Sequence, residues 1–407
     1  MATRADWQAY IDLAKSEDIL RVALDLGCRL KKAATSEHVG PCLIDGGTDR
    51  FSVNTRKQVF NCRGTDDGGD IIRMVCHLLG CSVSEACERI TGRPRPDSSR
   101  DETMEERAAR IRENASRMEA ARIRQEQERE VERIKTRKDE EAVSRIIDRA
   151  LPIEGTHAEA YLRESRGLTP NKRLTVDLRF VPDLDYWGLP DNGSGELRQL
   201  AVMPALIAII RNSHGDIIGI SQTYLDAERP IKWRPSGSIR NSAKKIRGQK
   251  KGGMIRLGRI TETLAIGEGW ENPLAWHQLG GGLHIDNLSM AAAVDIGNLS
   301  GQSMGKVPHP HAVDPEGARL RIPSGLPDLD APGVIIPDGV KSVIIICDAN
   351  SDQARTAAHY LTAGNRFEHH GLDVGLAWPP AGYDWNNVLI REIENEKAAV
   401  GQEQKTI

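Results

Sequence analysis

Apolar residues recur along this chain in two rhythms, and the places where the rhythm changes divide it into segments. Ile19, Leu20, Ala23 and Leu26 fall at helical spacing behind Ser16-Glu17-Asp18, a helix start with acidic residues in its first turn, and Gly27 marks the stop. Residues 50–53 and 58–62 read as two short strands joined by Asn54-Thr55-Arg56-Lys57, a hairpin signal. Gly68-Gly69-Asp70 introduces a helix carrying Ile71, Ile72, Val75, Leu78 and Leu79, and a second helix, from about Ser84 to Ile90, ends at Gly92. Between residues 98 and 150 the rhythm disappears. That stretch holds 14 basic and 14 acidic residues with no Gly or Pro, which predicts a helical spacer laced with i,i+4 ion pairs. Ile111 and Met118 lie seven apart, but Gln125 breaks the heptad and argues against a coiled coil. Residues 151–258 are mixed and strand-like. From 259 to 395, apolar runs at 263–267, 342–347 and 373–378 alternate with helical patterns, which predicts a parallel sheet covered on both faces. Residues 396–407 form a tail.

Composition narrows the class. A chain of 407 residues, 39% hydrophobic and 28% charged, suits a globular protein of two or three domains and excludes a wholly disordered or fibrous one. No run of about 18 apolar residues occurs, so no membrane partner is expected, and Met-Ala-Thr-Arg-Ala-Asp lacks the apolar stretch of a signal peptide. Six of the seven cysteines precede residue 98; this odd, clustered set makes a poor disulfide framework and predicts reduced thiols in a cytoplasmic protein.

The net charge of -3 hides a strong asymmetry. From Arg229 to Arg259 there are eleven Lys and Arg and no Asp or Glu. They include Lys232, Arg234, Arg240, Lys244, Lys245, Arg247, Lys250, Lys251 and Arg256, with Trp233 interleaved where it can stack on a base. A basic run is often only a solvated face. Thirty-one residues without one acid, in a slightly acidic protein, argue instead for a polyanion, and nucleic acid is the expected partner.

Two further constellations carry chemistry. Cys42-Leu43-Ile44-Asp45 and Cys62-Arg63-Gly64-Thr65 are x2 pairs flanking the hairpin, the way a zinc ribbon holds a tetrahedral ion. Asp45 can ligate but Thr65 is a poor ligand, and His38, Asp66 and Asp67 lie close enough to substitute. The pattern predicts a weak or empty zinc site, with His38, Cys42, Asp45 and Cys62 as its candidates. Cys76, Cys81 and Cys87 read as packed thiols. The second constellation sits at strand ends: Glu268-Gly269 with Glu271 and Asn272 after the first apolar run, Asp348-Ala349-Asn350-Ser351-Asp352 after the second, and Asp384 with Asn386 after the third. In parallel sheets ligands bind beyond the carboxyl ends of strands, and acids gathered there call for a cation, Mg²⁺ being usual for phosphate chemistry. Such acids also serve simply as helix caps. Gly301-Gln302-Ser303-Met304-Gly305-Lys306-Val307 is one residue short of a Walker A loop, and His309-Pro310-His311 falls in a Pro/Gly-rich stretch that reads as an exposed insertion.

These residues resemble a known family. His38-Val39-Gly40-Pro41-Cys42, Gly46-Gly47, residues 49–53, Cys62-Arg63-Gly64 and Gly68-Gly69-Asp70 look like the zinc-binding domain of DnaG-type primases, and the ordered acids look like the Toprim domain that those primases share with topoisomerases and some nucleases. The segments 204–208, 215–219 and 223–225 are similar to the subdomain that precedes Toprim. The resemblance implies an α/β chain of mobile-element character. It would have a zinc-ribbon-like β domain at 1–97, the charged helical spacer at 98–150, an α+β primase subdomain at 151–258 and a Rossmann-like parallel-sheet Toprim domain at 259–395. It also implies synthesis of RNA primers on single-stranded DNA from nucleotides, with Mg²⁺ or Mn²⁺ and a separate replicative helicase as partner. Glu268 and Asp348 would be catalytic, and Glu268, Glu271, Asp348, Asn350, Asp352 and Asp384 would hold the ion. Three positions commonly acidic in the family read Asn272, Asn350 and Asn386 here, which leaves open a DNA-binding initiation factor without catalysis, or a Toprim nuclease.

Overall fold

The computed structural model describes residues 2–33, 36–44, 46–96, 104–190, 196–236, 241–313 and 317–403; Asp45 and Arg240, singled out above, lie outside them. The chain is a mixed α/β protein with several sheets, and it divides into two compact units, Met1–Lys135 and Thr136–Ile407.

In the first unit, helices α1 (Arg4–Lys15) and α2 (Ile19–Asp25) precede strands β1 (Lys31–Lys32), β2 (Glu37–Cys42), β3 (Gly46–Asn54), β4 (Val59–Cys62) and β5 (Asp67–Gly69). The strands form one antiparallel sheet in that order, with the expected hairpin at β3–β4 pairing Phe51 with Cys62 and Val53 with Phe60. Helices α3 (Ile71–Leu79) and α4 (Val83–Thr91) follow. Their ends are written locally. Asp70 and Ser82 accept from the backbone N–H groups of Arg73 and Glu85, while Gly80 and Gly92 close each helix at φ 63° and 66°. Tyr10, Ile19, Val22, Phe51, Phe60, Met74, Val75 and Ile90 fill the core between the sheet and the helices. Helix α5 (Met104–Asp148) begins in this unit and ends in the other.

The second unit opens with the last turns of α5, where Val143, Ile146 and Ile147 pack against Val181, Ile207 and Tyr224. Strand β6 (Leu151–Pro152), a helical turn α6 (His157–Ala160) that runs on as a π-helical turn to Ser165, and strands β7 (Leu178–Gly188), β8 (Arg198–Arg211), β9 (Ile217–Tyr224) and β10 (Lys244–Gly248) come next. These strands form an antiparallel sheet ordered β10-β9-β8-β7-β6. The buried run of β8 serves both faces, with Leu206, Ala208 and Ile210 entering one core and Ala205 and Ile207 another.

A second five-stranded sheet is built from β11 (Ile255–Leu257), β12 (Thr263–Gly267), β13 (Leu288–Ala292), β16 (Ser342–Ile346) and β17 (Asp373–Ala377), with helices α7 (Glu271–Gln278), α8 (Ile296–Ser300), α9 (Gln353–His369) and α10 (Trp385–Glu403). A hairpin of β14 (Lys306–Val313) and β15 (Arg319–Pro323) is inserted before β16. The strand order is β11-β13-β12-β16-β17. β12 runs parallel to both β13 and β16, and β16 runs parallel to β17, while β11 is antiparallel to β13. Both faces are buried as the continuous apolar runs predict: Ala265 and Ile346 lie in one core, Leu264, Ile266, Val343 and Ile345 in the other.

Candidate active site and candidate metal centre

The parallel sheet lines up four acids past its strand ends. Gly267 and Ile346 are register partners, so Glu268 and Asp348 leave adjacent strands side by side; Asp295 follows β13, and Asp384 precedes α10. Burial first, and then the charge of Asp295, pushes the Glu268 carboxyl above its ordinary value. Burial, Glu268 and Asp384 together push Asp348 up to about 7. Two half-buried carboxylates, both shifted upward by burial and by neighbouring acids, are a place where a cation is stabilising. Lys244 on β10 faces the same acids, and its charge favours the ionised forms of Glu268, Glu271 and Asp348 alike.

The other acids proposed for the ion have different occupations. Glu271, although buried, is held below its ordinary value because Lys232, Arg166 and Lys244 outweigh the burial. Lys232 Nζ lies 3.2 Å and Arg166 Nε 3.4 Å from its oxygens, and the Tyr161 hydroxyl donates to it at 3.0 Å. Burial pushes Lys232 down to about 8 despite that pairing. Glu271 is therefore the anchor of a cationic cluster. Asp352 caps α9 and faces the Nε2 of His309 at 2.9 Å. The His309 ring is buried, and its Nδ1 accepts from the backbone N–H groups of His311 and Ala312, so the Nε2 proton points at Asp352. The stretch read as an exposed insertion thus turns His309 inward, and Ile322 with it.

The three asparagines bind acids and backbone. Asn272 donates to Asp348 at 2.5 Å and accepts from the Asn386 N–H, Asn350 donates to Asp384 at 2.9 Å, and Asn386 donates to the Arg166 carbonyl at 2.6 Å. Glu268, Asp348 and Asp384 remain as the oxygen donors, a hard set that suits Mg²⁺ or Mn²⁺. Among the described residues, these acids do not bring three ligand oxygens within 4.8 Å of one another.

In the first unit a different cluster forms. Ligand atoms of Cys42, Cys62 and His77 lie within 4.8 Å of one another, with Cys42 Sγ 3.7 Å from His77 Nε2. The backbone N–H of Ile44 donates to Cys42 Sγ, and His77 Nδ1 sits 3.0 Å from Asp67. His38, expected as a ligand, is on β2 opposite Val53 and does not join the cluster. The sequence reading missed His77 because it lies outside both x2 pairs. The available signal was its position on α3, about 60° around the helix from buried Met74, on an inward face.

The basic segment is only partly free. Lys245 lies over the Tyr186 ring, Lys250 pairs with Asp295, Arg247 reaches Asp139 at 4.0 Å, and Arg256 donates to the carbonyls of Asn212 and Ser213. Trp233, expected to stack on a base, packs edge-on to Tyr186 at 4.9 Å and is partly buried against the core around that ring. Arg234, Lys244 and Lys251 are exposed. Residues missed by sequence reasoning here are Tyr161, Arg166 and Asp295, whose roles depend on contacts across 45 to 110 positions of chain.

A family model described as a domain of unknown function (DUF7146) matches residues 137–257. No curated protein matches the chain. Among solved structures, the chain is similar to the zinc-binding and RNA polymerase domains of the Aquifex aeolicus primase, at 17% identity and TM-score 0.35, over 98% of this chain and 84% of that one. A DNA primase domain from Pseudomonas aeruginosa matches at 16% identity and TM-score 0.34, over 62% and 74% of the two chains. The primase fragment of the bacteriophage T7 primase-helicase protein matches at 12% identity and TM-score 0.30, over 88% and 97%. Likeness at this level carries no argument about function, which rests on the sites themselves.

Proposed function

We propose that this is a primase-like nucleotidyltransferase that binds single-stranded DNA and joins ribonucleotides at the strand-end acids. The observation that carries the reading is the pair Glu268 and Asp348, half-buried on neighbouring strand ends and facing Lys244. A Mg²⁺ or Mn²⁺ ion held by Glu268, Asp348 and Asp384 would supply the positive charge that activates an attacking 3′ hydroxyl and stabilises the leaving pyrophosphate. Around it, Lys244 is placed to meet nucleotide phosphates. Arg166 and Lys232, fixed by Glu271, add positive potential without needing to move. By the family resemblance, a separate replicative helicase is the expected partner. The test is primer synthesis on single-stranded DNA with labelled ribonucleotides and either metal. Glu268→Gln and Asp348→Asn should each abolish synthesis while leaving DNA binding intact, and Asn350→Asp should strengthen the use of Mg²⁺.

A second reading is favoured by the asparagines. Asn272 bonded to Asp348 and Asn350 bonded to Asp384 satisfy two carboxylates without an ion, as a DNA-binding initiation factor that keeps the shape alone would. Absence of primers with both metals, in the wild type and in Asn350→Asp, would establish that reading in place of the enzyme.

A further inference from the structure

We infer that Cys42, Cys62 and His77 form a metal centre for one zinc-class divalent ion, with Asp67 as the support of the histidine, in place of a set drawn from the two x2 pairs. Tetrahedral zinc with bonds of about 2.3 Å to sulfur and about 2.0 Å to nitrogen places those ligand atoms roughly 3.5 Å apart. Cys42 Sγ and His77 Nε2 stand at 3.7 Å, and the Cys62 thiol completes a triangle within 4.8 Å.

The surroundings fit a ligand triad better than a packed apolar core. His77 Nδ1 is 3.0 Å from Asp67, which places the ring proton on that nitrogen and turns the Nε2 lone pair toward the two sulfurs. A carboxylate behind the far nitrogen of a histidine is the usual support of a metal ligand. The Phe51 and Phe60 rings flank the imidazole at 6.4 and 5.3 Å and fix its orientation, and its side chain is only 5% exposed. The Ile44 N–H donates to Cys42 Sγ, a contact that helps fix the sulfur in place. Two sulfurs and one imidazole select a borderline-soft ion and disfavour Mg²⁺ or Ca²⁺. The three ligands come from β2, β4 and α3, so the ion would tie the helix to the sheet. Among the described residues no fourth ligand joins them, which leaves that position to a water.

The centre is independent of the acids in the other unit, so its test is separate from primer synthesis. The full chain, purified without chelator, should carry one equivalent of zinc by elemental analysis. Its Co²⁺-substituted form should show sulfur-to-metal charge transfer and tetrahedral d–d bands, and X-ray absorption should report two sulfurs and an imidazole. His77→Gln should lose the equivalent and His38→Ala should keep it. Asp67→Asn should lower affinity about 10–100-fold in competition with a chromophoric chelator. A wild-type protein with neither zinc nor the charge-transfer band overturns the proposal whatever the variants do. So does a His38→Ala variant that loses the metal while His77→Gln retains it.

Discussion

At the scale of single residues, the site is governed by what each carboxylate has beside it. Glu271 stays ionised because three cations surround it, whereas Asp348 has other acids for neighbours and only Asn272 and Lys244 to offset them. The direction has a consequence for stability. A carboxyl raised in the folded state favours folding below its unfolded value of about 4, and that contribution is lost as pH rises through the folded value of about 7. Without added divalent ions, the melting temperature of the wild type should therefore fall across that interval relative to Asp348→Asn. Mn²⁺ or Mg²⁺ should restore most at the upper end, where Asp348 is losing its proton. Melting curves across the interval measure this directly; parallel curves for the two proteins would mean that Asp348 is not the titrating group.

At the scale of elements, legibility followed the range of the interactions. The start of α3 and the end of α4 were readable because Asp70 and Gly92 act within one turn of themselves. β12 and β16 were readable because a strand buried on both faces is an unbroken apolar run. Helix α1 escaped notice although Thr3 and Asp6 form a capping box, because its buried stripe is only Tyr10, Leu13 and Ala14. What no local pattern could give is convergence. His77 meets Cys42 across 35 positions, Tyr161 meets Glu271 across 110, and His309 meets Asp352 across 43. The last contact gives an element-scale prediction. His309 joins the inserted β14–β15 hairpin to the start of α9, and its loss leaves two backbone N–H groups without their acceptor. His309→Ala should cost about 1–3 kcal/mol by denaturant unfolding.

At the scale of the whole molecule, the contrast between a net charge of -3 and an acid-free stretch of eleven basic residues is resolved by counting which cations are already spoken for. Lys232 is committed to Glu271 and Lys250 to Asp295; Lys245 rests on Tyr186 and Arg256 on two carbonyls. Those four are engaged within the second unit, and replacing Lys232, the partner of buried Glu271, should register as lost stability. Arg234, Lys244 and Lys251 are exposed and available to phosphates. Each phosphate neutralised on a single strand contributes roughly -0.7 to the slope of log K against log[salt]. If all three engage the backbone, replacing them together with Ala should flatten that slope by about 2 and weaken binding most at low salt. Fluorescence anisotropy on a labelled single strand, titrated at several salt concentrations, reads both quantities. The Lys250→Ala control should leave the slope unchanged, because its partner is Asp295. An unaltered slope in the triple variant would assign these three side chains to a solvated face and move the nucleic-acid path elsewhere on the unit.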